Sequence, residues 1–175
     1  IKKTKLTKNP KIELEEVGLP HQLKWNECKL ETVSYGHGIT TTPLQVTALY
    51  AAVANGGKLV TPSLIKDRKI GKSQNIISEE TSKKLNRILR KVVTSKNGTA
   101  SLADKNGYYV GGKTGTAESY GDKKNRINSF ISIFPVNKPS YTLFVMLENP
   151  KINNDLIYNY RGINTKAPYN TSGWN

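Results

Sequence analysis

The stretch GYYVGGKTGTAES at residues 107–119 combines the residue types that point most directly to chemistry in this sequence. From Gly107 it matches G-x-x-x-x-G-K-T, the pattern of loops that surround a phosphate with backbone amides. From Lys113 it reads K-T-G-T, and K-T-G is a triplet found in enzymes that transfer an acyl group through a serine. The first match indicates nucleotide binding and the second indicates acyl transfer, and the two require different local structures.

The elements around this stretch separate the two interpretations. A phosphate-binding loop needs a buried strand before its first glycine and a helix that begins at the Lys-Thr pair. The preceding TASLADKN lacks the pattern of a buried strand, and the following GTAESYGDKKN contains Gly115 and Gly121. Tyr108, Tyr109 and Val110 would also add bulk where the backbone must approach a phosphate. We therefore predict that YYVGGKTGTA is a β-strand, with glycines where another chain comes close.

A helix is predicted well ahead of this strand. Thr42 supplies an N-cap hydroxyl, Pro43 stands at the first helical position and Gln45 at the third. Together they form a capping box in front of LQVTALYAAVA, and NGG at residues 55–57 ends the helix. Its many small apolar residues are typical of a helix that packs closely inside a core.

Residues 78–95 are predicted to form a second helix, capped by Ser78 and ended by the NG at residues 97–98. Its apolar residues follow the spacing i, i+3, i+4, i+7, so we expect an amphipathic helix on the surface of the domain. The predicted apolar face consists of Leu85, Ile88, Leu89 and Val92.

Two further strands are predicted at residues 128–135 and 141–147. Their five-residue connection has hairpin length, so they should pair antiparallel and extend a sheet with YYVGGKTGTA. Residues 1–34 are predicted to be mostly loops and short segments, and residues 150–175 to lack regular structure. Alternation in the first of the two strands places Phe130, Ser132 and Phe134 on one face and Ile131 and Ile133 on the other.

The net charge of +14, from 27 Lys+Arg against 13 Asp+Glu, raises the possibility of a polyanionic partner. However, the basic residues are scattered along the chain, and no recognisable nucleic-acid module is present. We interpret them as solvated lysines and expect no nucleic-acid partner. A basic binding module in which K-T-G has only a structural role remains the non-enzyme alternative. The scattered positions include Lys2, Lys24, Lys66, Lys83, Lys123 and Lys151.

Few residues suit metal or redox chemistry. His21 and His37 are the only histidines, and no cluster of Cys, Asp or Glu has ligand spacing, so no metal site or cofactor is expected. His37 lies between two glycines and is interpreted as a loop residue. Cys28 is the only cysteine, so no internal disulfide is possible. No run of about 18 apolar residues long enough to span a membrane occurs.

Taken together, these segments resemble the C-terminal half of the transpeptidase domain of class B penicillin-binding proteins. The resemblance covers residues 31–150 well and the two ends loosely, and the ETVSYGHGI lead-in is most similar to the cell-division type. It implies an α+β fold of the serine β-lactamase/transpeptidase type, an antiparallel sheet flanked by helices that is incomplete at both ends. The matching segments are YGHGITTTPLQVTALYAAVANGG, NGTA at residues 97–100, GYYVGGKTGTAE and SFISIFPVNKPSYTLFVMLENP.

The resemblance implies a D,D-transpeptidase that cross-links peptidoglycan stem peptides at the septum through an acyl-serine intermediate. Lys113 would place an ammonium near the serine of a Ser-x-Asn motif and the carboxylate of a stem peptide ending in D-Ala-D-Ala. Thr114 and Thr116 would offer hydroxyls to that carboxylate, and the Thr116 N–H would be one oxyanion donor. Gly115 would keep bulk out of the cleft. β-Lactam antibiotics carry a matching carboxylate and are expected ligands.

The nucleophile is a separate question. Ser63-Leu64-Ile65-Lys66 and Ser73-Gln74-Asn75 match Ser-x-x-Lys and Ser-x-Asn formally. We interpret both as coincidental, because a catalytic Ser-x-x-Lys needs a buried helix and the ten-residue spacing is too short for two motifs to converge on one cleft. In the family both motifs precede a glycine-rich loop, which YGHGI at residues 35–39 resembles, so the nucleophilic serine is expected upstream of Ile1.

Residues 1–175 are therefore expected to be the C-terminal fragment of a single transpeptidase domain, without its final helix and inactive alone. The resemblance implies a parent protein held in the inner membrane by one N-terminal helix, with this domain on the periplasmic side and divisome membrane proteins as candidate partners. An elongation-type penicillin-binding protein and a β-lactamase-like sensor of the same fold are the enzyme-family alternatives.

Overall fold

The computed structural model describes residues 3–8, 12–14, 29–68, 73–119, 122–151, 155, 157–160 and 163–166. Helices come first along the chain and strands follow, which is the order of an α+β domain. The helices are α1 (Lys29–Ser34), α2 (Pro43–Ala54), α3 (Glu79–Thr94) and a short 3₁₀ helix (Ser101–Ala103). The strands are β1 (Gly111–Ser119), β2 (Asp122–Phe134), β3 (Tyr141–Glu148), β4 (Ile157–Tyr160) and β5 (Ile163–Lys166).

The main sheet has the order β1-β2-β3 with antiparallel pairing throughout, which confirms the predicted hairpin and the predicted third strand. Lys113 of β1 lies opposite Ile131, and Ile131 in turn lies opposite Phe144 of β3. β2 is therefore the central strand of this sheet. Ile131 and Ile133, predicted to share one face, are 5% and 0% exposed.

The hydrophobic core lies where α2 and α3 pack on this sheet. Ala52 of α2 and Leu89 and Val93 of α3 are buried together with the two isoleucines of β2. Ser82 lies within the same buried stripe of α3, and its hydroxyl donates to the Val53 carbonyl at 2.5 Å. This hydrogen bond satisfies a buried polar group and joins the two helices.

One part of the predicted apolar face of α3 is wrong. Ile88 is 56% exposed, whereas Ser82, Leu89 and Val93 are buried. The buried stripe is rotated by about one helical position from the predicted one, and it begins at Ser82, a polar residue whose hydroxyl has a hydrogen-bond partner on α2. The predicted boundaries hold: Ser78 is the N-cap, with its hydroxyl accepting from the Thr81 N–H at 3.1 Å.

An ion pair reinforces the first turns of α3. Lys83 lies 2.7 Å from Glu79, four residues earlier on the same helix face. The hydrogen bond from Lys83 and its positive charge lower the pKa of Glu79 below its usual value.

The predicted capping box of α2 is confirmed. The Thr42 hydroxyl accepts from the Gln45 N–H at 3.2 Å, and the Gln45 side-chain oxygen accepts from the Thr42 N–H at 3.0 Å. The Gln45 amide also donates to the carbonyls of Lys5 and Lys8. One glutamine, 8% exposed, thus caps the helix and attaches the segment at residues 3–8 to it.

We expect Gln45→Met to lower the free energy of unfolding by about 1–2 kcal/mol, because it removes the reciprocal cap and leaves two backbone carbonyls without their donor. Thermal unfolding of the full-length protein that contains this chain measures the effect. Gln74 is exposed, so Gln74→Met makes the same change without these contacts and should unfold like the unmodified protein. Equal unfolding temperatures for the two variants would contradict the bridging role.

Two predictions about strand positions are corrected by the structure. Residues 150–175 were predicted to lack regular structure, but β4 and β5 pair antiparallel from Ile157–Lys166 to Tyr160–Ile163. Each strand has only four residues, which is too short for an alternating pattern to be recognised. β1 begins at Gly111, so Tyr108 and Tyr109 lie outside it; the Tyr108 N–H closes a turn onto the Lys105 carbonyl.

Candidate active site

Residues 113–116 occupy the middle of β1, which lies at one edge of the sheet formed by the described residues. An edge strand pairs on one side only, so alternate residues direct backbone N–H and C=O groups toward the open side. Lys113 and Thr114 lie within a strand and do not begin a helix. The residues before Gly107 form turns and a short 3₁₀ helix, not a buried strand. The structure therefore excludes a phosphate-binding loop here.

Lys113 is exposed and unpaired within the described part of the chain. Its ammonium forms no ion pair there and donates to the neighbouring Thr114 carbonyl at 2.7 Å. Strand alternation places Lys113 and Gly115 on one face of β1 and Thr114 and Thr116 on the other. The four residues thus offer an exposed cation, two hydroxyls and backbone groups on an accessible strand edge.

Gly115 lies where β1 and β2 approach closely. A Cβ at this position would lie 2.7 Å from the Ser129 hydroxyl, and that hydroxyl donates to the Gly115 carbonyl at 3.3 Å. Glycine therefore leaves room for this cross-strand hydrogen bond. The predicted role of Gly115 in keeping bulk out of a cleft stays a prediction.

Three contacts that the sequence does not indicate hold the segment before β1 in place, two of them to α3 and one to the β2–β3 connection. The Arg90 guanidinium donates to the Val110 carbonyl at 2.7 Å and to Asp104 at 2.9 Å. The Val136 N–H donates to the Tyr109 carbonyl at 2.9 Å, which ties the residue before Val110 to the β2–β3 connection. Sequence analysis offered no signal for them, because an arginine near the end of a helix is explained by the helix dipole alone.

A side chain from the loop after α3 also reaches residues 113–116. The Thr99 hydroxyl lies 3.0 Å from the Thr114 hydroxyl. NGTA was part of the family resemblance, but nothing in its composition indicated which residue it would contact. The structure therefore adds Thr99 to the group around Thr114.

The two formal matches to other catalytic motifs lie in unsuitable environments. Residues 61–68 contain no helix; the Ser63 hydroxyl donates to Glu13 at 2.8 Å, and Lys66 is exposed. Ser73 and Asn75 are exposed, and Asn75 forms an isolated bridge with Lys58. A lysine that acts as a base must be desolvated, and the exposed Lys66 does not meet this requirement.

The remaining candidates form no site in the described residues. His37 is exposed, and its ring stacks on Tyr35 with centroids 6.3 Å apart. The backbone N–H of His37 donates to the Thr32 carbonyl. His21 and Cys28 lie outside the described residues. Within the described ranges, no three His, Cys, Asp or Glu residues are placed to hold a metal ion, and no helix is long and apolar enough to cross a bilayer.

Comparison with curated proteins shows a consistent set of relatives. Stage V sporulation protein D of Bacillus subtilis is 40% identical over 136 residues, which are 69% of this chain and 21% of that protein. The probable peptidoglycan D,D-transpeptidase FtsI of Caulobacter vibrioides is 33% identical over 163 residues, 85% of this chain and 28% of that protein. The chain thus spans about a fifth of the length of the first relative and somewhat more than a quarter of the second.

Solved structures show the same likeness in three dimensions. The transpeptidase domain of penicillin-binding protein 3 from Burkholderia pseudomallei superposes with a TM-score of 0.76 at 27% identity, covering 85% of this chain and 47% of that one. Penicillin-binding protein 3 from Mycobacterium tuberculosis, solved with aztreonam, gives a TM-score of 0.78 at 25% identity, with 85% and 39% coverage. The fold is therefore of the β-lactamase/transpeptidase type, as predicted.

The sequence model of the family described as penicillin binding protein transpeptidase domain matches residues 3–169. This match includes all described elements, from the segment attached to α2 through β5. The chain belongs to the penicillin-binding protein transpeptidase domain family.

Proposed function

We propose that this chain supplies the substrate-binding strand of a serine D,D-transpeptidase that cross-links peptidoglycan stem peptides in septal wall synthesis. The observation that carries the proposal is the accessible edge strand β1, which presents Lys113, Thr114 and Thr116 in a member of the transpeptidase family. The relatives named FtsI and stage V sporulation protein D support the division-type assignment over the elongation-type and sensor alternatives.

In the proposed reaction, a serine hydroxyl of the parent protein attacks the carbonyl of the penultimate D-alanine. The serine proton passes to a neighbouring base and then to the leaving amine, so terminal D-alanine departs and an acyl-serine ester remains. The amine of a second stem peptide attacks this ester, which forms the cross-link and regenerates the serine hydroxyl. In this reaction β1 binds and orients the substrate and helps to stabilise the oxyanion, while the nucleophilic serine comes from another part of the parent protein.

Each residue of the K-T-G segment has a proposed role in that reaction. The hydroxyls of Thr114 and Thr116 donate to the terminal carboxylate from one face of β1, and the Lys113 ammonium, on a flexible four-carbon side chain, reaches the same carboxylate around the open edge of the strand from the other face. The backbone N–H of Thr116 donates to the oxyanion that forms at the attacked carbonyl. Their placement on an open strand edge supports these roles, since a peptide can lie alongside β1.

β-Lactam antibiotics are proposed ligands of the same strand. A penicillin presents a carboxylate beside a reactive carbonyl, as the end of the stem peptide does. The Mycobacterium tuberculosis penicillin-binding protein 3 structures contain aztreonam and ampicillin, and the likeness of the present fold to them supports this ligand class.

We assign the nucleophilic serine to a part of the parent protein outside these 175 residues. The solvated surroundings of Ser63 and Lys66 support this, and so does the limited share of each relative that the chain covers. The domain is proposed to act on the outer side of the inner membrane as part of a membrane-anchored parent, where its peptidoglycan substrate lies, together with division proteins.

Labelling with a fluorescent penicillin tests the proposal. We expect the full-length protein to form a covalent adduct and the isolated 175-residue chain to form none. Ser63→Ala in the full-length protein should label as the unmodified protein does, because Ser63 lies outside the proposed site. A full-length protein that forms no adduct would contradict the transpeptidase function. Labelling that Ser63→Ala abolishes would show instead that the nucleophile lies within this chain.

A further inference from the structure

The loop that follows α3 is fixed so that the side chain of Thr99 meets β1. The Gly98 N–H donates to the Ser95 carbonyl at 2.8 Å, and the Ala100 N–H donates to the Val92 carbonyl at 3.3 Å. Gly98 lies directly against the Val92 carbonyl, where no side chain would fit, and Ala100 is 6% exposed. Both neighbours of Thr99 are thus anchored on the last turns of the helix.

The hydroxyl of Thr99 has a partner that is distant in the sequence and lies on a different element. Thr47 and Thr94, which lie on helices, donate to the backbone carbonyls of Pro43 and Arg90. In the described structure Thr99 instead lies 3.0 Å from the Thr114 hydroxyl, on a strand fifteen residues later. An exposed side chain-to-side chain hydrogen bond of this kind contributes little to folding, so its position beside residues 113–116 calls for another explanation.

We propose that Thr99 is a positioning residue for recognition of the substrate carboxylate, an inference that rests on the proposed transpeptidase function. A hydroxyl has one proton to donate and two lone pairs that accept. When Thr99 donates to Thr114, the Thr114 oxygen is occupied as an acceptor and its single proton is directed outward to a carboxylate. The two hydroxyls then form a chain that ends on the anion, and each bond in such a chain polarises the next.

Thr99 therefore acts through Thr114 and needs no contact with the ligand. Without it, the Thr114 hydroxyl rotates freely and must lose that freedom each time a carboxylate binds. The contribution of Thr99 to binding is specific to ligands that carry a carboxylate, because a ligand without one accepts no hydrogen bond from the Thr114 hydroxyl. This specificity distinguishes a positioning role from a purely structural one.

The test compares benzylpenicillin with its methyl ester as acylating probes of the full-length protein. The measured quantity is the ratio of the two second-order acylation rate constants, acid over ester. We expect Thr99→Val, which is close in shape but lacks the hydroxyl, to lower this ratio about fivefold, the size of one net hydrogen bond. Thr99→Ser, which keeps the hydroxyl, should preserve the ratio, and Thr94→Val provides a matched change on the exposed surface of α3.

Thr114→Val should lower the same ratio, and the double variant Thr99→Val/Thr114→Val should show no additional loss, because the two hydroxyls act as one unit. An unchanged ratio in Thr99→Val, or equal losses for acid and ester, would overturn the inference while leaving the transpeptidase function intact. An unmodified protein that reacts with neither probe would contradict the proposed function, and the inference with it.

Discussion

Lys113→Met in the full-length protein is expected to slow acylation by benzylpenicillin about 100- to 1,000-fold, the usual cost of removing one preorganised electrostatic donor from an acyl-transfer site. The methionine keeps the unbranched shape of lysine but carries no charge. Lys113 is exposed, and in the described part of the chain its ammonium donates to the adjacent Thr114 carbonyl, so the change removes little that stabilises the fold. The acylation rate constant should therefore fall while the thermal unfolding temperature stays within about one degree of the unmodified value.

Two further variants make the Lys113 result specific. Lys138→Met makes the same change at an exposed lysine in the β2–β3 connection and should acylate normally. Lys113→Arg keeps the positive charge but replaces a compact ammonium by a planar group, so we expect it to recover only part of the loss. An acylation rate within threefold of normal in Lys113→Met would show that this ammonium does not contribute to the site.

The sequence predicted most successfully those features that depend on neighbouring residues. The capping box of α2 involves residues three positions apart, and the hairpin of β2 and β3 depends on alternation and a short connection. Such patterns have the period of the element itself, so they are visible without knowledge of the fold. The family resemblance added the expectation that residues 113–116 form a substrate-binding strand.

What escaped prediction depends on contacts between distant residues. Thr99 meets Thr114 across fifteen residues, and Gln45 reaches the carbonyl of Lys5 across forty. Ser82 lies in a buried stripe because its hydroxyl has a partner on another helix, which an apolar pattern does not reveal. A threonine, glutamine or serine has many possible partners, and only the packing of α2, α3 and β1 selects one.

Gly112→Ala is expected to destabilise the domain by about 2–3 kcal/mol, in the range of overpacking a filled interior. Gly112 is buried in β1, and an added Cβ would lie 2.5 Å from the Ile131 carbonyl oxygen and 2.6 Å from the Phe130 ring. The ring of Phe130 covers the glycine from the neighbouring strand. The ring has some freedom to move, but the carbonyl oxygen belongs to the β2 backbone, so the pairing of β1 with β2 must shift.

Gly115→Ala is the matched control for this prediction, because the same methyl group is added three residues later on the same strand. Its Cβ would meet only the Ser129 hydroxyl, which can rotate away at small cost. The thermal unfolding temperature of the full-length protein should therefore fall by about 5–10 °C for Gly112→Ala and by much less for Gly115→Ala. Equal shifts would mean that the strand adjusts as a whole. A larger fall for Gly112→Ala than for Gly115→Ala would show that the close approach at Gly112 holds β1, and with it Lys113, in place.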